Sequence, residues 1–311
     1  MISVLILTKN EELDLPDCLK SVEWSDDVHV FDSFSTDRTL EIAQRSNVNV
    51  HQRIFDGYAK QRNAALNTLD FKYPWLLIVD ADERIPDKLH QQIVDQVTSA
   101  KSSTSAFRIR RRDYLYDTWL KRSQISPYYI RLIRVGKAQY YREINEVLRV
   151  DGNIEDIDGF FVHYPFSKGI RHWVKKHNIY SSMEAIRWIE EMEGNYKFSV
   201  KKALFSSDFN EKRYHQKGLF YKVPGRPFVK WCYIMFYRRG VLDGRAGWMY
   251  AFLQAIYEYF IILKYDEFQL KRQQGEKAFV ESPQNANKKA DKKKADKKQG
   301  DRLLPYSTTS S

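Results

Sequence analysis

The sequence predicts an α/β protein built on a doubly wound, mostly parallel sheet. Strand-like and helix-like patterns alternate over the first hundred residues, which is typical of such a sheet. The runs at residues 2–7 and 75–79 are largely apolar, as expected of strands that are buried on both faces. The chain has 311 residues, of which 43% are hydrophobic and 29% charged, as in folded proteins. Sheets of this kind bind ligands at the carboxyl ends of their strands.

The elements of the first hundred residues are predicted from the spacing of apolar side chains. Pro16 marks the first turn of the first helix, where proline fits without losing a hydrogen bond. Ser35 or Thr36 is expected to cap the second helix. Strands are predicted at residues 2–7, 28–31, 48–50 and 75–79, and helices at residues 10–22, 35–46, 60–69 and 87–97.

The pattern changes at about residue 106. Residues 107–110 and part of 129–134 alternate with period two and carry arginine at polar positions, which predicts strands with one exposed face in a mixed or antiparallel sheet. A helical pattern returns at residues 170–192. The second part of the fold is therefore expected to extend the first sheet rather than to repeat it.

The C-terminal stretch predicts helices that associate with a membrane. Residues 228–237 are apolar and aromatic, and residues 248–265 are nearly all apolar but contain Glu258. An apolar helix of about 20 residues is long enough to cross a bilayer. A glutamate held deep in lipid is costly, however, which disfavours a span through Glu258. An amphipathic helix lying in the membrane interface avoids that cost and is favoured; a core helix and a true span are the alternatives. After Glu276 the chain is rich in lysine and is predicted to be a disordered tail.

Charge and cysteine content narrow the classes of function. The formal net charge is +11, which favours anionic partners such as nucleoside diphosphates, acidic lipids or nucleic acid. Cys18 and Cys232 belong to no Cys/His cluster, so a disulfide framework or a structural zinc site is not expected. The N-terminus is interpreted as a strand and not as a signal peptide. A reducing compartment is the natural expectation.

The strongest candidate site is Asp80-Ala81-Asp82, directly after four apolar residues that end a predicted strand. Residues i and i+2 of an extended chain face the same side, so Asp80 and Asp82 can converge on one ligand. Mg²⁺ and Mn²⁺ commonly take one or two carboxylates together with substrate phosphates. The alternative is a pair of solvated turn aspartates. A divalent metal site that neutralises a diphosphate is the favoured interpretation.

Polar residues at the ends of the other strands complete the candidate pocket. Thr8, Asn10 and Glu12 follow the first strand, although Asn10 could instead cap a helix. Asp32 follows the second strand and could accept hydrogen bonds from a base or a ribose. The start of the third helix is an electropositive place suited to phosphate, and a solvated helix start is its alternative. Its candidate residues are Lys60, Gln61, Arg62 and Asn63.

Taken together, these residues resemble glycosyltransferase family 2, and most closely its lipopolysaccharide-core β-1,4-glucosyltransferase-like branch. The matching segments are 6–12 (ILTKNEE), 32–39 (DSFSTDRT), 55–57 (FDG) with 61–65 (QRNAA), and 80–83 (DADE). The resemblance is specific over residues 1 to about 100. It continues more loosely to about residue 270 through segments 163–165, 176–181 and 239–244.

The resemblance implies a GT-A fold, a UDP- or GDP-sugar donor with UDP favoured, Mg²⁺ or Mn²⁺, and inversion at the anomeric carbon. It implies that Asp82 ligates the metal and that Asp80 holds the ribose or a metal-bound water. It also implies that Arg62 lies near the phosphates. The side chains implied to surround the nucleoside are Thr8, Asn10, Glu12 and Asp32.

The base that takes the acceptor proton is expected to be Glu146. The branch usually has His-Glu after the metal motif, and here Asn145-Glu146 stands at that place. A plain strand-edge glutamate is the alternative. The Gln-x-x-Arg-Trp motif of processive synthases is not found, which favours the addition of a single sugar. The histidines at 163, 172 and 177 are interpreted as ordinary hydrogen-bonded residues rather than ligands.

These observations predict a transferase that moves one sugar to a lipid-linked or cell-envelope glycan, as in lipopolysaccharide biosynthesis. It is expected to be cytoplasmic and peripheral, on an anionic membrane surface at the inner face of the plasma membrane. The predicted parts are a catalytic domain at 1–227, with a nucleotide-sugar half at 1–100 and an acceptor half at 101–227, a membrane-associating segment at 228–275, and a tail at 276–311.

Two other classes of protein are weighed against this prediction. A nucleic-acid-binding protein is suggested by the net charge and by a basic cluster, but no recognised nucleic-acid motif accompanies it, and no nucleic acid is expected as a partner. The cluster consists of Arg108, Arg110, Arg111, Arg112, Lys121 and Arg122. A nucleotidyltransferase of related α/β fold normally has a glycine-rich loop after the first strand. The segment from Thr8 to Glu12 has no glycine, which argues against that class.

Overall fold

The computed structural model describes residues 2–141, 147–193, 198–206, 209–221 and 223–274. Its contacts divide the chain into two compact units, each made of two stretches. The first unit comprises Met1–Lys175 and Gly225–Ile256, and the second comprises Lys176–Pro224 and Tyr257–Ser311. The predicted tail at 276–311 lies outside the described residues, and the functional division of the chain at 100, 227 and 275 stays a prediction.

The strands and helices of the described residues follow the alternation that the sequence predicts. The strands are β1 (Ser3–Thr8), β2 (Val28–Asp32), β3 (Asn49–Gln52), β4 (Trp75–Asp80), β5 (Glu83–Arg84), β6 (Thr104–Leu115), β7 (Thr118–Trp119), β8 (Tyr128–Arg134), β9 (Ala138–Tyr141), β10 (Val147–Val150) and β11 (Asn153–His163). The helices are α1 (Leu15–Ser21), α2 (Thr39–Arg45), α3 (Tyr58–Thr68), α4 (Asp87–Ser99), α5 (Gly169–Glu193), α6 (Val200–Phe205), α7 (Phe209–Tyr221), α8 (Arg226–Cys232) and α9 (Gly244–Gln273).

The main sheet is parallel in its first half and mixed in its second. Its strand order is β3-β2-β1-β4-β8-β6-β11-β5, with β7 paired to β6. The pairs β3–β2, β2–β1 and β1–β4 are parallel, whereas β8 runs antiparallel between β4 and β6. β11 then pairs in parallel with β6 and antiparallel with β5. This α/β architecture with long C-terminal helices confirms the predicted fold class.

Both faces of β1, β2 and β4 are buried, which is why β1 and β4 are apolar at consecutive positions. Ile6 and Val79 face a core that includes Leu15 of α1 and Leu89 of α4. Leu5, Leu76 and Ile78 face the opposite core, which includes Ala65 of α3. Because β1, β2 and β4 run in parallel, their carboxyl ends meet at one edge of the sheet.

Two predicted helix starts are wrong by about one turn. α1 begins at Leu15 and not at residue 10, because Asn10 has a left-handed backbone (φ 57°) and does not cap this helix. α2 begins at Thr39, because the Ser35 hydroxyl donates to Asp32 instead of capping the helix. The Asp37 carboxylate accepts from the backbone N–H of Thr39 at 3.0 Å and so fixes the entry to α2.

The C-terminal part of the first unit is fastened to the loop that follows β7. Asp243 accepts hydrogen bonds from the Arg122 N–H (2.9 Å), the Ser123 N–H (2.7 Å) and the Ser123 hydroxyl (2.7 Å). Gly247 permits this packing, because a Cβ there would lie 2.1 Å from the Gly240 carbonyl oxygen. The segment 239–244, which the sequence singled out, therefore serves as a clamp.

One helix of the described residues is long and apolar enough to cross a membrane, judged by length and composition alone. It runs over Gly240–Gln273, and 33% of its most apolar window is buried. A core helix of a soluble protein passes the same test.

The second unit has a small aromatic core of its own. Ile189 of α5 packs with Ile261 and Phe268 of α9. The Trp188 ring stacks on Tyr265 at 3.8 Å and on Tyr221 at 4.9 Å between ring centroids.

Candidate active site

The loops after β1 and β2 hold each other through side chains that the sequence predicted for a nucleoside pocket. The Asn10 side-chain oxygen accepts from the Thr36 N–H at 2.8 Å, and Glu12 accepts from the Arg38 N–H at 3.1 Å. Lys9 donates to the carbonyl oxygens of Ser33 and Phe34, both at 2.8 Å. These bonds fix two loops at the edge of the sheet where a ligand is expected.

Asp32 is fully buried between these two hydrogen-bonded loops. Its carboxylate accepts from the Thr8 hydroxyl (3.0 Å), the Gln52 amide (3.0 Å), and the backbone N–H (2.9 Å) and hydroxyl (2.5 Å) of Ser35. Four donors occupy the accepting positions of one carboxylate. In this arrangement Asp32 orients the loops, and a base or ribose would have to replace one of these donors.

The four residues predicted to bind phosphate at the start of α3 have different environments in the structure. Lys60 is exposed, whereas Gln61 is buried and donates to the Ser33 hydroxyl at 3.1 Å. Asn63 exchanges two hydrogen bonds of 2.8 Å with the backbone of Tyr140 and so anchors β9. Arg62 points to the end of β4, where its Nη2 lies 3.0 Å from Asp80 Oδ1.

Asp80 at the end of β4 is held between two arginines. Arg62 contacts Oδ1, and Arg131 Nη2 on β8 lies 2.9 Å from Oδ2. Burial alone disfavours the charged carboxylate, but the two guanidinium groups outweigh it and lower the pKa of Asp80. Asp80 is therefore ionised and fixed in orientation.

Arg131 also reaches the buried carboxylate of Glu83. Arg131 Nη2 contacts Glu83 Oε1, while Glu83 Oε2 accepts from the backbone N–H of Asp80 at 3.0 Å. Both side chains are almost fully buried. The Arg131–Glu83 pair thus braces the turn that carries residues 80–83.

Asp82 faces a histidine from the end of β11. His163 Nε2 lies 3.2 Å from Asp82 Oδ2, and His163 Nδ1 lies 2.5 Å from Asp113 Oδ1 on β6. Burial disfavours the charged ring, but Asp82 and Asp113 outweigh it and raise the pKa of His163 to about 9. The Tyr164 N–H donates to the Asp82 carbonyl oxygen at 2.9 Å, which fastens the two segments together.

Asp82 and His163 can hold a divalent cation only when the ring is neutral, because a ligating nitrogen carries no proton, so the ion has to displace the Nε2 proton that Asp82 stabilises. They place one carboxylate oxygen and one imidazole nitrogen side by side, and both side chains are partly exposed. A carboxylate behind a ligating histidine, as Asp113 stands here, is the usual second partner of metal-bound imidazole. No group of three or more candidate ligands occurs among the described residues, so substrate oxygens or water would complete such a site.

Sequence reasoning assigned no site role to three residues that the structure brings here. Arg131 lies in an alternating strand segment and Asp113 follows another, and neither gives a signal of its own. His163 was interpreted as an ordinary histidine, because its contact with Asp82 joins distant parts of the chain. Glu146, the predicted base, lies outside the described residues.

A family model matches this chain directly. The model for Glycosyl transferase family 2 covers residues 3–168, more than half of the chain. The chain belongs to glycosyl transferase family 2. It is therefore a glycosyltransferase that uses a nucleotide-sugar donor, and the matched region contains Asp80, Asp82, Asp113, Arg131 and His163.

Curated relatives of this glycosyltransferase are distant. It is 29% identical over 200 residues to the lipopolysaccharide core biosynthesis glycosyltransferase LpsC of Rhizobium meliloti (strain 1021), covering 61% of this chain and 72% of that protein. It is 30% identical over 198 residues to the uncharacterized glycosyltransferase RT0209 of Rickettsia typhi (strain ATCC VR-144 / Wilmington), covering 59% of this chain and 66% of that protein.

Solved structures resemble the chain only loosely. A structure of S. aureus TarS 1-349 in complex with UDP-GlcNAc has a TM-score of 0.46 and 16% identity over 88% of this chain and 92% of that one. Glucosyl-3-phosphoglycerate synthase from Mycobacterium tuberculosis, in complex with Mn²⁺, UDP-glucose and phosphoglyceric acid, has a TM-score of 0.32 and 21% identity, covering 36% and 44%. At these TM-scores the likenesses carry no weight for donor or metal.

Proposed function

We propose that this glycosyltransferase moves one sugar from a UDP-sugar to a lipid-linked or cell-envelope glycan, with inversion and with Mg²⁺ or Mn²⁺. The observation that carries the proposal is the juxtaposition of Asp82 and His163 at the edge of the sheet where β1, β2 and β4 end. The UDP donor, the inversion and the single transfer rest on the resemblance described above. The acceptor class is suggested by the name of LpsC, a lipopolysaccharide core biosynthesis glycosyltransferase.

The roles follow from the contacts of each side chain. Asp82 and His163 would hold the ion, with Asp113 orienting the ring of His163. The chemistry supplied by such an ion is the neutralisation of charge on the departing diphosphate. Asp80 keeps the Arg62 guanidinium at the strand end, where an arginine can pair with phosphate oxygens.

The two hydrogen-bonded loops after β1 and β2 would form the nucleoside pocket. Thr8, Asn10, Glu12 and Asp32 lie in one hydrogen-bonded region, which would let the backbone and side chains of both loops line a base. Exposed Lys60 would add positive charge near the phosphates. Glu146 remains the proposed base, which would take the proton from the acceptor hydroxyl.

Donor hydrolysis tests this proposal without knowledge of the acceptor. We would measure UDP release from a panel of UDP-sugars with Mn²⁺, Mg²⁺ or EDTA, on the natural chain, on Asp82→Ala and on Asp70→Ala as an exposed control. The proposal predicts metal-dependent release from one donor, lost in Asp82→Ala and kept in Asp70→Ala. Release that is equal in Asp82→Ala, or that survives EDTA unchanged, would contradict it.

A further inference from the structure

The surface formed by Gly225–Ile256 has an unusual concentration of exposed apolar side chains. The largest exposures are at Phe228 (68%), Phe236 (63%), Tyr237 (78%) and Leu242 (64%). Single exposed apolar residues are normal, but a contiguous group marks an interaction surface. The other large apolar side chains exposed on this stretch are Val229, Tyr233, Val241, Trp248, Phe252 and Ile256.

Aromatic rings form the centre of this surface. The Trp231 ring lies 5.5 Å from Trp248, 5.7 Å from Phe252 and 5.7 Å from Phe236, measured between centroids. Trp248, Phe252 and Ile256 follow one another at four-residue spacing and share one exposed stripe of α9. We call the exposed face of residues 228–256 the aromatic face. Tryptophan and tyrosine are enriched where proteins meet the membrane–water interface.

The charges of the aromatic face have one sign. Arg239 and Arg245 are exposed, and Lys230 and Arg238 are partly exposed. The one acidic residue of Gly225–Ile256 is Asp243, which is buried and accepts three hydrogen bonds from residues 122 and 123. Exposed basic side chains on the same stretch as exposed apolar ones complement anionic lipid headgroups. Two copies of such a face would bring like charges together, which opposes self-association.

The aromatic face is fixed to the catalytic part of the same unit. The Arg238 guanidinium donates to the carbonyl oxygens of Arg122 (3.1 Å) and Gln124 (3.2 Å), and the Tyr250 hydroxyl contacts the Gln124 side chain. A surface bound by the face would thus be held in a defined orientation to the donor site.

We infer that the aromatic face docks this enzyme on an anionic lipid bilayer, with its apolar side chains in the interface and its arginines among the headgroups. The inference concerns binding and does not rest on the identity of donor or acceptor. Because the face and the donor site belong to one compact unit, a bilayer bound by the face would lie in a fixed orientation to that site.

Vesicle flotation of the full chain tests the inference. We would compare vesicles of phosphatidylcholine mixed with phosphatidylglycerol against vesicles of phosphatidylcholine alone. The decisive variant combines Phe236→Ser, Tyr237→Ser and Leu242→Ser. The matched control is Ile54→Ser, which changes a side chain of similar exposure (74%) elsewhere on the first unit. Each removed side chain should weaken partitioning by about tenfold, from its share of apolar burial.

The expected result is flotation with anionic vesicles that is lost in the triple variant and kept in Ile54→Ser. Arg239→Gln with Arg245→Gln should weaken binding by about fivefold per residue on anionic vesicles only. Unchanged flotation of the triple variant would overturn the inference. So would flotation that disappears when the lysines of 288–298 are changed to glutamine, since the tail alone would then account for binding.

Two further measurements keep the test decisive. UDP release by the triple variant should match that of the natural chain, which separates loss of docking from loss of fold or of the proposed function. On the natural chain, brominated lipids should quench tryptophan fluorescence, and Trp248→Phe should reduce that quenching. A vesicle-independent dimer that the triple variant dissociates would assign the face to a second copy instead and overturn the inference.

Discussion

His163 Nε2 lies 3.2 Å from Asp82 Oδ2, while the other nitrogen of the same ring lies 2.5 Å from Asp113 Oδ1. The histidine thus stands between one carboxylate that faces the ligand edge of the sheet and one that is buried behind it. Such a chain of groups fixes the ring plane and leaves Asp82 and Nε2 adjacent. The three side chains therefore form a hydrogen-bonded line that runs from buried Asp113 on β6, through His163, to Asp82 just after β4.

His163→Gln should weaken metal-supported UDP binding by about 10- to 100-fold, because it removes the nitrogen that would share the ion with Asp82. The check is a titration of UDP in the presence of Mn²⁺. His172→Gln, which changes an exposed histidine on α5, is the matched control and should bind as the natural chain does. Equal binding by His163→Gln and His172→Gln would remove His163 from the site.

Arg131→Met should lower the free energy of unfolding by about 3–5 kcal/mol, because it leaves the buried Glu83 carboxylate without its partner and takes one of two arginines from Asp80. Replacing both members, Arg131→Met with Glu83→Met, should recover part of that loss, since the buried Glu83 charge is then gone while Asp80 keeps Arg62. Denaturant unfolding of the three proteins checks this expectation. A double variant as unstable as the single one would show that the pair does not act as a unit.

Asp243→Ala should free the loop around Ser123, because its carboxylate accepts three hydrogen bonds from that loop. We expect a loss of about 2–3 kcal/mol in the free energy of unfolding, from donors left buried and unpaired. Hydrogen exchange should speed up at residues 120–124. Ser123→Ala removes only one of the three bonds and should lose less; equal losses would contradict the clamp.

The stability contributed by Glu184 should depend on pH. Burial opposes its charge, but Lys217 and the Tyr221 hydroxyl (2.9 Å) outweigh this and lower the pKa of Glu184 below its usual value. A carboxyl group whose pKa is lowered by folding stabilises the protein at pH values above its unfolded-state pKa. That stabilisation is lost as the pH falls through its folded-state pKa. Glu184→Gln should therefore cost about 1–2 kcal/mol at neutral pH and progressively less below pH ~4. Unfolding curves of both proteins at several pH values check the sign, and a difference that grows in acid would contradict it.

The fold class could be predicted because it depends on local patterns. The apolar runs of β1 and β4 and the helical spacing after each strand report on burial, which the sequence carries directly. The starts of α1 and α2 were missed because tertiary bonds decide them. Asn10 turns left-handed to accept from Thr36, and Ser35 bonds Asp32 in preference to a helix terminus.

The candidate site could be predicted only in part. Asp80 and Asp82 were found because two carboxylates directly after a buried strand form a local signal. Arg131, Asp113 and His163 reach the same edge from β8, β6 and β11, whose order in the sheet does not follow the chain. Without that order, an arginine in an alternating strand is indistinguishable from one that faces solvent.

The most direct test of the central claim is a titration of free Mn²⁺, followed by electron paramagnetic resonance, with and without UDP, on the natural chain and on Asp82→Asn. The account predicts that the natural chain binds Mn²⁺ tightly only when UDP is present, and that Asp82→Asn does not. Mn²⁺ binding that is the same in both proteins, or that ignores UDP, would contradict the assignment of this strand end as the donor site.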